Sequence, residues 1–190
     1  MNWPNVLTLS RIFFALILVI LLNQNALITN VAAALVFAVA SITDFYDGYL
    51  AKKYGLISDF GKLMDPIADK VLMLAVFAVL AHVGMVAWWM VIVIAAREIA
   101  VTVSRLAAMR QGQVLAAERA GKIKTVVQIT AVGVILLYLI ADQSSLCASW
   151  FYMAQKVWLS LINVLMLLAV ILTVVSGAAY FQHKANIEKN

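Results

Sequence analysis

Four aspartates, Asp44, Asp47, Asp65 and Asp69, fall within 26 residues of the chain, in the stretch TDFYDGYLAKKYGLISDFGKLMDPIADK (43–70). The first two are three apart and the last two are four apart, and both spacings put carboxylates on one helix face. The first pair continues an apolar run ending near Ile42, and the second opens the run from Val71 to Leu80. Two antiparallel helices would therefore aim four carboxylates into one gap. Like charges that close repel or stay protonated unless a cation compensates them, and oxygen ligands alone select hard ions such as Mg²⁺, Mn²⁺ or Ca²⁺. The expectation is a divalent-metal site. Gly48 and Gly61 flank it and would let a bulky ligand approach the backbone, although glycine in membrane helices is as often a packing residue.

Further charges lie inside apolar runs: Arg11 in the first, Arg97, Glu98 and Arg105 in the fourth, and Lys122 and Lys124 at the start of the fifth. A charge within a membrane span is a functional candidate by default, against the plainer reading that it snorkels to the interface or pairs within the bundle. Acids, metals and a basic rim at a lipid boundary suit phosphoryl transfer on an amphiphile. They suit a divalent-cation transporter less well, because transport wants acids near mid-membrane and these cluster at one face. His82 and the single cysteine, Cys147, stand apart from every charged cluster.

The elements that must position these side chains are helices in a membrane. Of 190 residues 65% are hydrophobic and 12% charged, where a soluble domain carries roughly 25% charged residues. So much apolar surface cannot be buried in so small a core. Apolar stretches run over 6–22, 26–42, 71–85, 86–96 continuing to 106, 126–141 and 157–180, each about a bilayer crossing once its charged ends are included. The reading is an all-α membrane protein of six transmembrane helices with a short N-terminal interfacial segment and both termini cytoplasmic. In that arrangement all of the 14 Lys and Arg residues but Lys156 face the cytoplasm, and so do eight of the nine acids, Asp142 excepted. No linker divides the chain, so residues 1–190 read as a single domain with no processed signal segment. The net charge of +5 is spread over helix ends, which favours anionic lipid over nucleic acid as partner. Trp3, Trp88, Trp89 and Trp150 suit the two interfaces.

Asp44, two residues, Asp47-Gly48, two residues, Ala51, then Gly61, three residues, Asp65, three residues, Asp69: this pattern resembles the motif of the CDP-alcohol phosphatidyltransferase family. One position departs from it, because Lys52 stands where the family usually has arginine; lysine keeps the charge but loses the bidentate fork suited to a diphosphate. The Asp65-Pro66 step, Asn2 to Asn5 with Thr8 and Arg11, the Ala96 to Ile99 segment and Gly121 to Thr125 resemble the branch that uses glycerol 3-phosphate. The resemblance implies transfer of a phosphatidyl group from CDP-diacylglycerol to glycerol 3-phosphate, with release of CMP, at the cytoplasmic face of the bacterial inner membrane. It implies two divalent cations, Mg²⁺ or Mn²⁺, held by Asp44, Asp47, Asp65 and Asp69, with Asp69 also the catalytic base. Thr8, Asp47, Gly48, Ala51, Lys52 and Gly61 would face the cytidine diphosphate, and a homodimer is implied as well. The acceptor's phosphate needs a cationic seat, for which Arg97, Arg105, Lys122 and Lys124 are the candidates. Other acceptors known for the family are phosphatidylglycerol, serine and an inositol phosphate.

Overall fold

The structure is a computed structural model that describes residues 3–54, 59–110, 119–144 and 148–187, with side chains described for 10–43, 70–108, 121, 123–144, 154–182 and 185. Six helices and no strand occur among the described residues: α1 (Trp3–Gln24), α2 (Leu27–Tyr54), α3 (Asp59–His82), α4 (Trp88–Arg110), α5 (Arg119–Gln143) and α6 (Ala148–Ile187). The expected N-terminal interfacial segment is not a separate element. α1 starts at Trp3 and runs unbroken to Gln24, with Pro4 in its first turn, where a missing N–H costs no hydrogen bond.

The helix ends follow local chemistry. Asn25 adopts a left-handed φ of 45° and stops α1, and the Thr29 hydroxyl accepts from the Ala26 N–H at 3.1 Å to open α2. At the α3–α4 corner Gly84 (φ 80°) lets its own N–H reach the Ala81 carbonyl and that of Met85 reach Leu80, closing α3 as the sequence His82-Val83-Gly84 predicts.

Each helix packs mainly on two others, in the closed order α1–α3–α4–α6–α5–α2 and back to α1. The packed faces keep helical spacing: Ala15, Leu18 and Leu22 on α1; Ala33, Phe37 and Ala40 on α2; Ile162, Met166, Ala169, Thr173, Ser176 and Tyr180 on α6. The outward faces are equally apolar, Phe13, Leu16, Ile28, Leu35, Val157 and Ile171 among them. A water-solvated bundle would turn polar residues outward, so the outer solvent these helices fit is lipid. Ile123–Gln143 and Ala154–Gln182 are each long and apolar enough to cross a bilayer, and Ser10–Gln24, Leu27–Thr43 and Lys70–His82 form shorter apolar helical stretches. α6 has 40 residues, about 60 Å of helix and far more than a hydrocarbon core requires.

One end of the bundle is tied by amides. Buried Asn30 donates to Asn25 Oδ1 (3.3 Å) and Gln143 Oε1 (3.1 Å), while Gln143 donates to the Asn25 carbonyl (2.6 Å) and to its Oδ1 (2.9 Å). The α1–α2 corner is thereby fastened to the end of α5. Asn25→Ala should lower stability by about 1–2 kcal/mol, since alanine resists positive φ and the bonds to Asn30 and Gln143 side chains are lost. Asn25→Gly, which relieves only the backbone, should fall in between. Thermal unfolding in detergent checks both, and an unshifted alanine variant would show that the amide tie adds nothing.

Candidate active site

The aspartates sit on α2 and α3, on either side of residues 55–58. Asp44 lies ten residues before the end of α2 at Tyr54, and Asp69 ten residues after the start of α3 at Asp59. Asp47 and Asp65 lie seven and six residues from those same ends. At about 1.5 Å per residue, Asp44 and Asp69 stand about 15 Å, and Asp47 and Asp65 about 9–10 Å, from the helix ends that flank residues 55–58, and α2 and α3 both pack on α1. α3 continues through Pro66, which has no N–H to offer the Lys62 carbonyl one turn earlier. The side chains of Asp44, Asp47, Asp65 and Asp69 lie outside the described residues, as do those of Thr8, Ala51, Lys52 and Lys122 and the surroundings of Gly48 and Gly61.

Directly beside these positions opens a cavity of about 130 Å³. Ser41, three residues before Asp44, lines it from α2, and Lys70, next to Asp69, from α3. Arg11 enters from α1, Glu98 from α4, and Lys124 with Gln128 from α5. The polar focus is the buried Glu98 carboxylate. Lys124 donates to its Oε1, Arg97 Nη1 reaches the same oxygen at 3.2 Å, and Lys70 Nζ lies 3.4 Å from Oε2. One acid from α4 thus holds cations from α3, α4 and α5. At this depth a lone charge costs several kcal/mol to bury, so the group persists only because the charges compensate one another.

Arg97 is also held from the far side. Its Nη2 donates to Ser176 Oγ at 2.9 Å, Ser176 donates to the Thr173 carbonyl at 3.1 Å, and Gln128 in the cavity wall donates to Thr173 Oγ1 at 3.4 Å. A polar chain therefore leaves the cavity through Arg97, crosses α6 and returns through Gln128. Gly177 makes room for it, because a Cβ there would stand 3.0 Å from both Cγ and Nε of Arg97. Gly177→Ala should consequently cost about 1–3 kcal/mol of stability and displace Arg97 from Ser176. A melting temperature equal to wild type would show that Arg97 yields freely.

The cationic candidates of the sequence separate in space. Lys124 and Arg97 meet on Glu98, whereas Arg105 lies two turns further along α4, about 12 Å by helical rise, with its guanidinium 5.9 Å from the centre of the Tyr180 ring. Lys70 and Gln128 were not among the candidates. Lys70 carried a signal, a charge directly after Asp69 at the mouth of an apolar run; Gln128 carried only its polarity within a span. His82 is exposed in the last turn of α3, at the opposite end from the cavity. Trp88 and Trp89 are half-exposed at the start of α4, by the corner that follows it. Among the described residues no three His, Cys, Asp or Glu side chains gather, so a metal expectation rests on the four aspartates.

The family model described as CDP-alcohol phosphatidyltransferase matches residues 1–175. The chain is 38% identical over 192 residues to a CDP-diacylglycerol–glycerol-3-phosphate 3-phosphatidyltransferase of Bacillus subtilis (strain 168), covering 95% of this chain and 93% of the relative. It is 34% identical over 184 residues to a protein of the same name from Rickettsia typhi, covering 95% and 96%. It is also 40% identical over 139 residues to a probable phosphatidylglycerophosphate synthase of Mycobacterium tuberculosis (strain ATCC 25618 / H37Rv), covering 72% and 66%.

Proposed function

Given that the chain belongs to the CDP-alcohol phosphatidyltransferase family, we propose that this enzyme transfers a phosphatidyl group from CDP-diacylglycerol to glycerol 3-phosphate, yielding phosphatidylglycerophosphate and CMP. The names of its relatives give the reaction, and one observation ties it to this chain: a cavity ringed by cations opens directly beside the positions of Asp44 and Asp69. A dianionic phosphomonoester needs such a seat, while the neighbouring carboxylates serve the diphosphate end.

Asp44, Asp47, Asp65 and Asp69 would hold two divalent cations, Mg²⁺ or Mn²⁺; a set of four carboxylates, at matching distances from the ends of α2 and α3, has the hard oxygen chemistry such ions require. Bound there, the ions neutralise the diphosphate and stabilise CMP as leaving group. Asp47, Gly48, Ala51, Lys52 and Gly61, with Thr8, form the nucleotide face in this reading, Lys52 giving charge without a fork. Lys70, Lys124 and Arg11 hold the acceptor phosphate in the cavity, and Arg97 supports them through Glu98. Arg105 and Lys122 remain acceptor-phosphate candidates. With the phosphate seated, the glycerol hydroxyl points towards Asp69, which takes its proton as the oxygen attacks the phosphatidyl phosphorus. The bond from that phosphorus to the CMP oxygen breaks in the same displacement, with no covalent enzyme intermediate.

Residues 1–190 act in this reading as one membrane domain of six spans in the bacterial inner membrane, as a homodimer, with both termini and the site cytoplasmic. An alkaline-phosphatase fusion after Lys189 is expected to be inactive and one within the 145–147 connection active; the reverse pattern would sink the topology. The reaction is tested with purified protein, CDP-diacylglycerol and a panel of acceptors, following CMP release with Mg²⁺, Mn²⁺ or chelator. Release that requires a divalent ion and glycerol 3-phosphate supports the proposal. Release with phosphatidylglycerol, serine or an inositol phosphate alone overturns the acceptor and leaves the family.

A further inference from the structure

Glu98 belongs to none of the expected metal, nucleotide or acceptor positions, yet Lys70 and Lys124 of the cavity wall and neighbouring Arg97 converge on its carboxylate. We propose that Glu98 is the positioning and charge-setting residue of the acceptor seat: it gathers Lys70, Arg97 and Lys124 from three helices and tunes the seat to a phosphomonoester dianion. The inference rests on the acceptor reading above and adds to it a reason for selectivity.

Three features carry it. First, Glu98 binds cations from α3, α4 and α5 at once, with Lys70 Nζ 3.4 Å from Oε2 and both Arg97 and Lys124 on Oε1. Both lysines can rotate about long stems, and a buried ammonium without an anion would withdraw towards water. Glu98 keeps them at the wall. Second, the cluster is not sealed, since Glu98, Lys70 and Lys124 all line the cavity with Arg11, Gln128 and Thr125. A purely structural ion cluster would be closed over by side chains instead. Third, the charges do not cancel. Glu98 offers one negative charge to three cations, of which Lys70 and Lys124 line the cavity, so the cluster keeps net positive charge there, and a phosphomonoester carries about −1.5 to −2 near neutral pH. A phosphodiester brings only one negative charge, and a zwitterion such as serine no net charge. Either would leave buried cations uncompensated, which disfavours such acceptors through the cost of unpaired charge at low dielectric.

The test compares full-length wild type with Glu98→Gln and Glu98→Asp, measuring Michaelis constants for glycerol 3-phosphate and CDP-diacylglycerol separately. Glutamine keeps the shape but not the charge and should raise the constant for glycerol 3-phosphate by about tenfold or more, as expected when charged hydrogen bonds lose an ionic partner. The constant for CDP-diacylglycerol should change by less than about twofold, because this role does not touch the nucleotide. Aspartate keeps the charge but is one methylene too short to reach all three cations, so it should recover part of the loss. Should Glu98→Gln fail to fold, the selective rise in Glu98→Asp alone carries the test. Equal rises for both substrates, or no rise for glycerol 3-phosphate in a folded variant, overturn the proposal while the function stands. A wild-type enzyme that ignores glycerol 3-phosphate overturns the function first, and this inference with it.

Discussion

Asp69→Asn is expected to abolish turnover while nucleotide binding stays measurable. Asp69 has two assignments, proton acceptor from the glycerol hydroxyl and one place among the metal-holding carboxylates, and the amide removes only the first completely. It keeps the shape and one oxygen donor, so CDP-diacylglycerol should still bind, more weakly, and the loss should fall mainly on the turnover number. Removing a general base typically costs about 10² or more in rate, so retention of more than about a tenth of wild-type turnover would move the role to another carboxylate. Asp44→Asn gives the contrast. If Asp44 coordinates and does nothing else, raising Mn²⁺ or Mg²⁺ should restore part of its activity, whereas no metal concentration should rescue Asp69→Asn. Isothermal titration with a CDP-diacylglycerol analogue, run beside single-turnover CMP release, separates the two losses.

Lys124→Ala should produce the largest combined effect on stability and acceptor use. Lys124 is buried, donates to Glu98 and lines the cavity, so truncation opens a hole and takes one of three cations from a buried carboxylate. Breaking a buried ion pair costs about 3–5 kcal/mol when a charge is left uncompensated; Lys70 and Arg97 still face Glu98, which places this loss towards the lower figure. The Michaelis constant for glycerol 3-phosphate should rise far more than that for CDP-diacylglycerol. Lys124→Arg, which keeps the charge, should recover part of both losses. A variant with a lowered melting temperature but an unchanged constant for glycerol 3-phosphate would make Lys124 a structural residue and shift the seat towards Arg105 and Lys122.

Much of this framework is readable in the residues, and the reasons are local. The polar trio Asn23 to Asn25 and the corner His82-Val83-Gly84 mark two helix junctions because αL conformation and exposed backbone need those residue types. The i, i+3 and i, i+4 aspartates announce helices that extend past their apolar runs, and α2 and α3 do reach Tyr54 and back to Asp59. The length of α6 was not readable: the apolar window 157–180 measures the lipid-crossing part, while the helix continues through Lys156 at one end and Lys184 at the other. The Glu98–Lys124 pair was not readable either. Its members lie 26 residues apart on different helices, and no periodicity within one helix names a partner on another. Arg97 beside Glu98 does suggest a pairing within the bundle, which the structure shows, but the sequence does not name Ser176 as its second partner or the Tyr180 ring as that of Arg105.

The closed order α1–α3–α4–α6–α5–α2 bears on biogenesis. Chain synthesis delivers α1 to α4 to the bilayer first, so all four aspartates and Glu98 are inserted before Lys124 exists. At that stage the ring has a gap between α2 and α4, two helices wide, and the unfinished cavity opens sideways into acyl chains. The last hairpin fills it from both sides at once, α5 docking on α2 and α6 on α4. A nascent chain halted after Arg110 would carry the four aspartates and Glu98 with its partners Lys70 and Arg97, but the buried Lys124 and the Ser176 support of Arg97 arrive only with the hairpin.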